Sequence, residues 1–207
     1  MIKRTFDALA AFAGLLVAIV PLCLVALLVK ATSQGPALFI QVRVGRYGRT
    51  FKCLKFRTMV ANSEQTGTVT TAGDKRITPV GRFLRRYKLD ELPQLWNVLT
   101  GDMSFVGPRP DVPGYADQLQ GEDRRILELL PGITGPATLR FKDEEAILAE
   151  VSDPQRYNDK VIYPEKVRLN LAYLDNWTLR RDLGYILVTV APGISHKLGI
   201  RHRLGLD

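Results

Sequence analysis

Residues 8–29 (ALAAFAGLLVAIVPLCLVALLV) contain no charged side chain. As a helix, 22 residues at ~1.5 Å rise measure ~33 Å, enough to cross the hydrocarbon core of a bilayer. No second run of this kind occurs in the remaining chain, which excludes a many-span transporter. The stretch is long for a signal-peptide core, and it ends in Val29-Lys30 without a small-x-small cleavage pattern, so it reads as a retained membrane segment.

Two features complicate a straight crossing. Pro21 lies inside the run, where it removes a backbone donor and crowds the carbonyl of Val17, so a bend is expected there. Both flanks are basic, with Lys3 and Arg4 before the run and Lys30, Arg43, Arg46 and Arg49 after it. Positive flanks stay on the cytoplasmic side. Equal bias fits a helix that enters, breaks at Pro21 and returns to the same face, whereas composition alone favours a straight anchor with a tolerated kink.

The remainder is ordinary folded-protein material. With 46% hydrophobic and 24% charged residues among 207, the chain is neither collagen-like nor low-complexity, and its length suits one functional domain. The expected division is a membrane segment at 1–35, a catalytic-size domain at 36–190 and a basic tail at 191–207. Cys23 and Cys53 lie in unlike contexts and support neither a disulfide framework nor a metal cluster. His196 and His202 sit in the basic tail, away from any histidine-based triad.

The fold class read from the pattern is α+β, helix-dominated with a short β-hairpin. Residues 38–44 and 50–59 are β-prone and flank the turn Gly45-Arg-Tyr-Gly48, while the polar stretch 61–79 reads as a long exposed loop. Helices are expected at 80–88, 90–100, 111–129, 143–150, 154–176 and 179–190. In 80–88, Phe83, Leu84 and Tyr87 are ringed by Arg82, Arg85, Arg86 and Lys88, which suits a lipid interface; the tail 183–206 is similar. A solvated basic face on a core helix is the competing reading for both.

Residues 88–110 (KLDELPQLWNVLTGDMSFVGPRP) are the most informative. Leu89, Leu92, Leu95, Trp96 and Leu99 recur at helical spacing, predicting a buried stripe with Asp90, Gln94 and Asn97 opposite. Asp90 and Glu91 fall at the first turn, where an acid is a favoured cap and suits the helix dipole. The same position also offers free N–H groups to phosphate, and a carboxylate pair there could supply a nucleophile and a ligand for a hard divalent cation. Lys55 and Arg57 on the second strand, Arg85 five residues before Asp90, and Arg109 between two prolines are the cations available to hold a diphosphate.

Six segments, Lys55-Phe-Arg-Thr-Met59, Leu89-Asp-Glu-Leu-Pro-Gln-Leu95, Asn97-Val-Leu, Gly101-Asp-Met-Ser, Val106-Gly-Pro-Arg-Pro110 and Pro131-Gly-Ile-Thr-Gly135, together resemble the bacterial sugar transferase family, the monotopic polyprenyl-phosphate phosphoglycosyl transferases. The resemblance runs from about Lys3 to about Val190. It implies transfer of a sugar phosphate from a nucleotide diphosphate sugar, usually a UDP-sugar, to polyprenol phosphate such as undecaprenyl phosphate. The reaction initiates surface glycan or exopolysaccharide synthesis at the cytoplasmic face of the bacterial inner membrane and releases UMP.

By the same resemblance, Asp90 matches the nucleophile that forms a covalent phosphosugar intermediate, and Glu91 the carboxylate associated with Mg²⁺. Lys55, Arg57, Arg85 and Arg109 match basic positions assigned to phosphate and nucleotide contacts. The N-terminal segment matches a re-entrant helix broken at Pro21. The chain departs from common family residues at Val20, Pro136, Thr138 and Asn170. Family membership leaves homo-oligomerisation open.

Two other classes compete. A catalytically inactive, membrane-bound docking subunit of a glycan assembly complex explains the anchor and the basic helices but gives Asp90, Glu91 and Arg109 no shared purpose. Nucleic-acid binding draws only on the net charge of +8; because the cations sit beside apolar runs, an anionic bilayer is the better partner.

Overall fold

The computed structural model describes residues 2–60 and 74–206. Most of the polar stretch 61–79 therefore lies outside the described residues. The chain opens with one long helix, α1 (Ile2–Thr32), which stays helical across Pro21, where the sequence leads to the expectation of a break. Its far side is bare: Leu9, Phe12, Leu16, Val17, Val20 and Leu24 are all more than half exposed, as suits lipid contact.

Both ends of α1 are fastened to the same folded unit. Near its start Lys3 Nζ reaches the buried carboxylate of Asp182, and the two terminal nitrogens of Arg4 donate to the carbonyls of Val98 and Leu99. Asp7 is 1% exposed and accepts from the Phe105 amide, while Ala11 packs with Cys53, Val98 and Met103. Near its end Val29 packs with Phe56 and Leu84. Both ends of the apolar helix are thus held by one folded body.

The hairpin is β1 (Leu38–Val44) with β2 (Thr50–Phe56), antiparallel, pairing Leu38 with Phe56 and Val44 with Thr50. Helix α2 (Pro79–Arg86) starts where Thr78 accepts from the Gly81 amide and Pro79 occupies the first turn. A 3₁₀ turn (Leu89–Glu91) then leads into α3 (Gln94–Thr100), so the helix expected over 90–100 is divided at Pro93. The tertiary amide of Pro93 donates nothing to the preceding turn, and regular helix begins only beyond it.

The helix expected at 111–129 is absent; 3₁₀ turns (Ala116–Gln118 and Gly121–Glu128) stand in its place. Pro113-Gly114, with Gly114 at φ +105, and Gly121 at φ +57 interrupt the periodicity, because both glycines adopt a backbone conformation that leaves the right-handed helix. Sequence periodicity also misses a short parallel pair, β3 (Ser104–Val106) with β4 (Gly132–Thr134). Three-residue strands are too brief to show an alternation.

The remaining helices are α4 (Pro136–Arg140), α5 (Glu144–Ala149), α6 (Pro154–Tyr157), a π-turn (Asn158–Ile162), α7 (Tyr163–Asp175), α8 (Leu179–Val190), α9 (Pro192–Lys197) and α10 (Ile200–Leu204). The tail folds back, placing Leu206 in a cluster with Val106, Tyr173, Tyr185 and Val188.

Asp182 on α8 ties this cluster to the membrane helix. Its carboxylate, 1% exposed, accepts from Lys3, from the Tyr173 hydroxyl at 2.6 Å and from the Trp177 indole at 3.0 Å. Replacing Asp182 by Ala strands three donors, and we expect a loss of about 3 kcal/mol, read as a lower melting temperature in detergent with exposure of the α1 start to limited proteolysis. An unchanged melt contradicts this account of how α1 is held.

Candidate active site

The polar side of α3 faces inward. Gln94 and Asn97 are 2% and 3% exposed, whereas Trp96 is 52% exposed and Leu92, Leu95 and Leu99 are only partly covered. The expected stripe is therefore only partly buried, and the polar side opposite it is the more deeply covered. The apolar side packs in part on α1 and the core, Leu95 against Gly14 of α1 and Leu99 against the cluster of Ala11, Cys53, Val98 and Met103, while Trp96 is exposed.

The inward Asn97 amide sets the position of β2. Its oxygen accepts from the Leu54 amide at 3.0 Å and its nitrogen donates to the Lys52 carbonyl at 2.8 Å. The outer edge of β2 is thereby paired with a side chain in place of a third strand. Lys55, further along that strand, consequently points toward the 3₁₀ turn that carries the acid pair.

Glu91 is the centre of the charged cluster. Its Oε1 accepts from Arg109 Nη2 at 2.5 Å and from Lys55 Nζ at 3.5 Å. Burial pushes its carboxyl up, but Arg109 and Lys55 together outweigh burial and hold it well below the usual carboxylate range. In return Glu91 raises the Arg109 guanidinium above its ordinary value. Lys55 is lowered to about 8, first by burial and then by the Arg109 charge, with Glu91 opposing both.

Asp90 has a different environment. It is 8% exposed, and its Oδ1 is sealed with no hydrogen-bond partner among the described residues. Burial and then the neighbouring Glu91 raise its carboxyl, while Lys55, Arg85 and Lys88 pull it back. Two adjacent carboxylates thus carry opposite shifts, the pattern by which one site assigns two roles.

Arg109 is placed by backbone packing. Gly107 lies so close to the β4 entry that an added Cβ would meet the Leu130 carbonyl at 2.2 Å, and its amide donates to Thr134. Arg43 Nη1 donates to the Pro110 carbonyl at 2.9 Å, bracing the loop from the hairpin side. The Arg109 side chain remains 38% exposed and borders a small cleft with Val44, Gly45, Pro110, Asp111 and Ala116. Burial raises Asp111 in this cleft to about 6, and Tyr163 donates to it at 3.3 Å.

The structure therefore brings together Asp90, Glu91, Lys55 and Arg109. Arg85 flanks them: its Nε donates to Thr58 Oγ1 at 3.0 Å and its Nη1 to Glu145 at 3.0 Å, and its charge is felt at Asp90. Arg57 lies elsewhere, donating through Nη2 to the carbonyl and hydroxyl of Ser33 beyond the end of α1. Lys88, assigned by sequence only to a basic face, acts on both acids. It sits at φ +56, a strained left-handed position whose sequence gives no glycine or asparagine signal.

Among the described residues no group of three or more His, Cys, Asp and Glu gathers for a metal. The orphaned Asp90 oxygen beside the Glu91 carboxylate is nevertheless the donor chemistry Mg²⁺ accepts when substrate oxygens complete its shell.

The chain belongs to the bacterial sugar transferase family, whose model matches residues 1–196. It is 36% identical over 206 residues to the UDP-glucose:undecaprenyl-phosphate glucose-1-phosphate transferase of Escherichia coli K12, covering 95% of this chain and 41% of that protein. It is 44% identical over 195 residues to the UDP-N-acetylgalactosamine-undecaprenyl-phosphate N-acetylgalactosaminephosphotransferase of Aeromonas hydrophila, covering 91% and 43%. Against the exopolysaccharide production protein ExoY of Sinorhizobium fredii the identity is 35% over 205 residues, covering 91% and 83%. The chain thus spans about two fifths of the length of the first two relatives and most of the third.

The opposing charges on Lys55 give a direct check of the cluster. In ¹⁵N-lysine spectra, its amine should titrate near pH 8 in the native protein, higher in Arg109→Met and lower in Glu91→Gln. Titration that ignores both substitutions contradicts the arrangement.

Proposed function

We propose that this chain transfers a phosphosugar from a UDP-sugar to polyprenol phosphate, releasing UMP and opening the synthesis of a surface glycan at the cytoplasmic face of a bacterial inner membrane. The observation that carries the reading is the buried, unpartnered Asp90 oxygen beside a Glu91 held ionised by Lys55 and Arg109. The printed names of the E. coli and Aeromonas relatives supply the substrate class.

In the proposed first step an Asp90 carboxylate oxygen attacks the phosphorus that bears the sugar. The bond from that phosphorus to the bridging oxygen breaks, and the oxygen leaves with UMP. In the second, an oxygen of polyprenol phosphate attacks the aspartyl phosphorus, regenerating the Asp90 carboxylate and forming the polyprenyl diphosphate sugar. Two displacements in sequence let one covered site serve a water-soluble donor and a lipid acceptor in turn.

Lys55 and Arg109 bind the diphosphate by exchanging Glu91 for phosphate oxygens. Their charge meets the charge that develops on the departing UMP. Lys55, Arg85 and Lys88 oppose the burial that raises the Asp90 carboxyl. Glu91 would hold Mg²⁺, which would supply further neutralisation of the diphosphate.

A panel of UDP-sugars with undecaprenyl phosphate and Mg²⁺ should yield UMP with at least one donor. UDP as the product contradicts the proposal, and inactivity with every donor points to a docking subunit. Among active preparations, kcat/KM should fall on the acid side as Asp90 takes a proton above the usual carboxylate range, and on the alkaline side near pH 8 as Lys55 loses one. Lys55→Arg should carry the alkaline limb above pH 10; a limb that stays near 8 removes Lys55 from the role.

A further inference from the structure

Arg57 is 8% exposed, yet only one of its three guanidinium nitrogens is used. Nη2 donates to the Ser33 carbonyl and hydroxyl, both at 2.8 Å, while Nε and Nη1 are sealed and have no partner among the described residues. A dry guanidinium with two idle donors is costly, and an anion is the group that relieves it.

The surroundings point to the source of that anion. Gly35, at φ +107, passes so close that an added Cβ would lie 2.3 Å from Nη1, so the site is walled by bare backbone. Lys30 Nζ donates to the Gly35 carbonyl at 3.3 Å, and Thr58, next to Arg57 in the chain, accepts from Arg85. Adjoining these cations is the apolar cluster of Val29, Phe56 and Leu84, lined by Leu22, Val25 and Ala26 of α1. A charged group that comes to rest here meets cations at its head and the exit of a lipid-suited helix along its stem.

Resting on the reaction proposed above, we infer that Arg57 receives the phosphate of the membrane-borne acceptor, a lipid phosphate monoester, leaving Lys55 and Arg109 to the donor diphosphate. Two cations only two residues apart at the end of β2 thereby serve the two substrates separately. Thr58 and Arg85 connect the acceptor position to Asp90, since Arg85 bonds Thr58 and acts electrostatically on the Asp90 carboxylate.

The test uses the whole chain in phosphatidylcholine nanodiscs, with undecaprenyl phosphate binding read by native mass spectrometry and both Michaelis constants read by UMP release. In Arg57→Ala the affinity for undecaprenyl phosphate should fall about tenfold or more, while binding of undecaprenol, which lacks the phosphate, stays at the wild-type level. The acceptor KM should rise by a similar factor with the donor KM within about twofold of wild type. Arg57→Lys, with its charge retained, should recover part of the loss and serves as the test variant if the alanine protein misfolds.

Equal lipid-phosphate affinity in wild type and both variants overturns the inference, as does a parallel rise of both KM values. Competition by phosphatidylglycerol or inorganic phosphate as effective as by undecaprenyl phosphate overturns the acceptor assignment in favour of a general anion site. A wild-type protein that binds undecaprenyl phosphate through Arg57 but forms no UMP supports the binding site and contradicts the reaction.

Discussion

Two carboxylates in consecutive positions repel one another, and burying both is tolerable only if one is neutralised by something stronger than water. Glu91 is neutralised by Arg109 from one side and Lys55 from the other. That ion cluster is the constraint to which much of the structure answers. It requires the hairpin to present Lys55, which Asn97 secures by pairing with β2, and it requires the Pro-Arg-Pro loop to lie against the turn, which the close approach of Gly107 to Leu130 secures. It also accounts for the strained Lys88, since the tight turn at that residue brings Asp90 and Glu91 to the same charged centre.

The second organising constraint is solvent. α1 presents bare leucines, valines and a phenylalanine on one side, and its two ends are bonded to a single folded unit. Trp96 of α3 and Phe83 and Tyr87 around α2 are also each more than half exposed, the last two meeting at a tilt with 4.9 Å between ring centres. The inward polar flank of α3 is satisfied by β2, through the two hydrogen bonds of Asn97. The acid pair with Lys55 and Arg109 forms one cluster, and the buried Arg57 lies apart from it on Ser33, beyond the end of α1.

How much of this was legible in residue order depended on the range of the interaction. The hairpin and α1 announce themselves through β-prone segments around a turn and through an uncharged run, and α2 and α8 lie where helices are expected. The helix expected at 111–129 failed because glycines at positive φ outweighed apolar periodicity, and β3 and β4 are too short to have a period. Within the site, the motif segments singled out Asp90, Glu91, Lys55 and Arg109, and the fold brings them together. Periodicity shows that α3 is two-sided but not that its polar side, braced by Asn97 against β2, is buried more deeply than its leucines. Arg57 and Lys55 look equivalent two residues apart; only the path of the chain beyond α1, which brings Ser33 and Gly35 onto Arg57, separates them.

The central claim is that Asp90 itself carries the phosphosugar between the two substrates. Intact-protein and peptide mass spectrometry after brief exposure to a turnover-competent UDP-sugar, with no polyprenol phosphate present, tests it most directly. The account predicts a mass increase equal to one sugar phosphate, mapped to the peptide containing Asp90, absent from Asp90→Asn and discharged on adding polyprenol phosphate. An active wild-type enzyme that never acquires the adduct, or an Asp90→Asn enzyme that does, contradicts it.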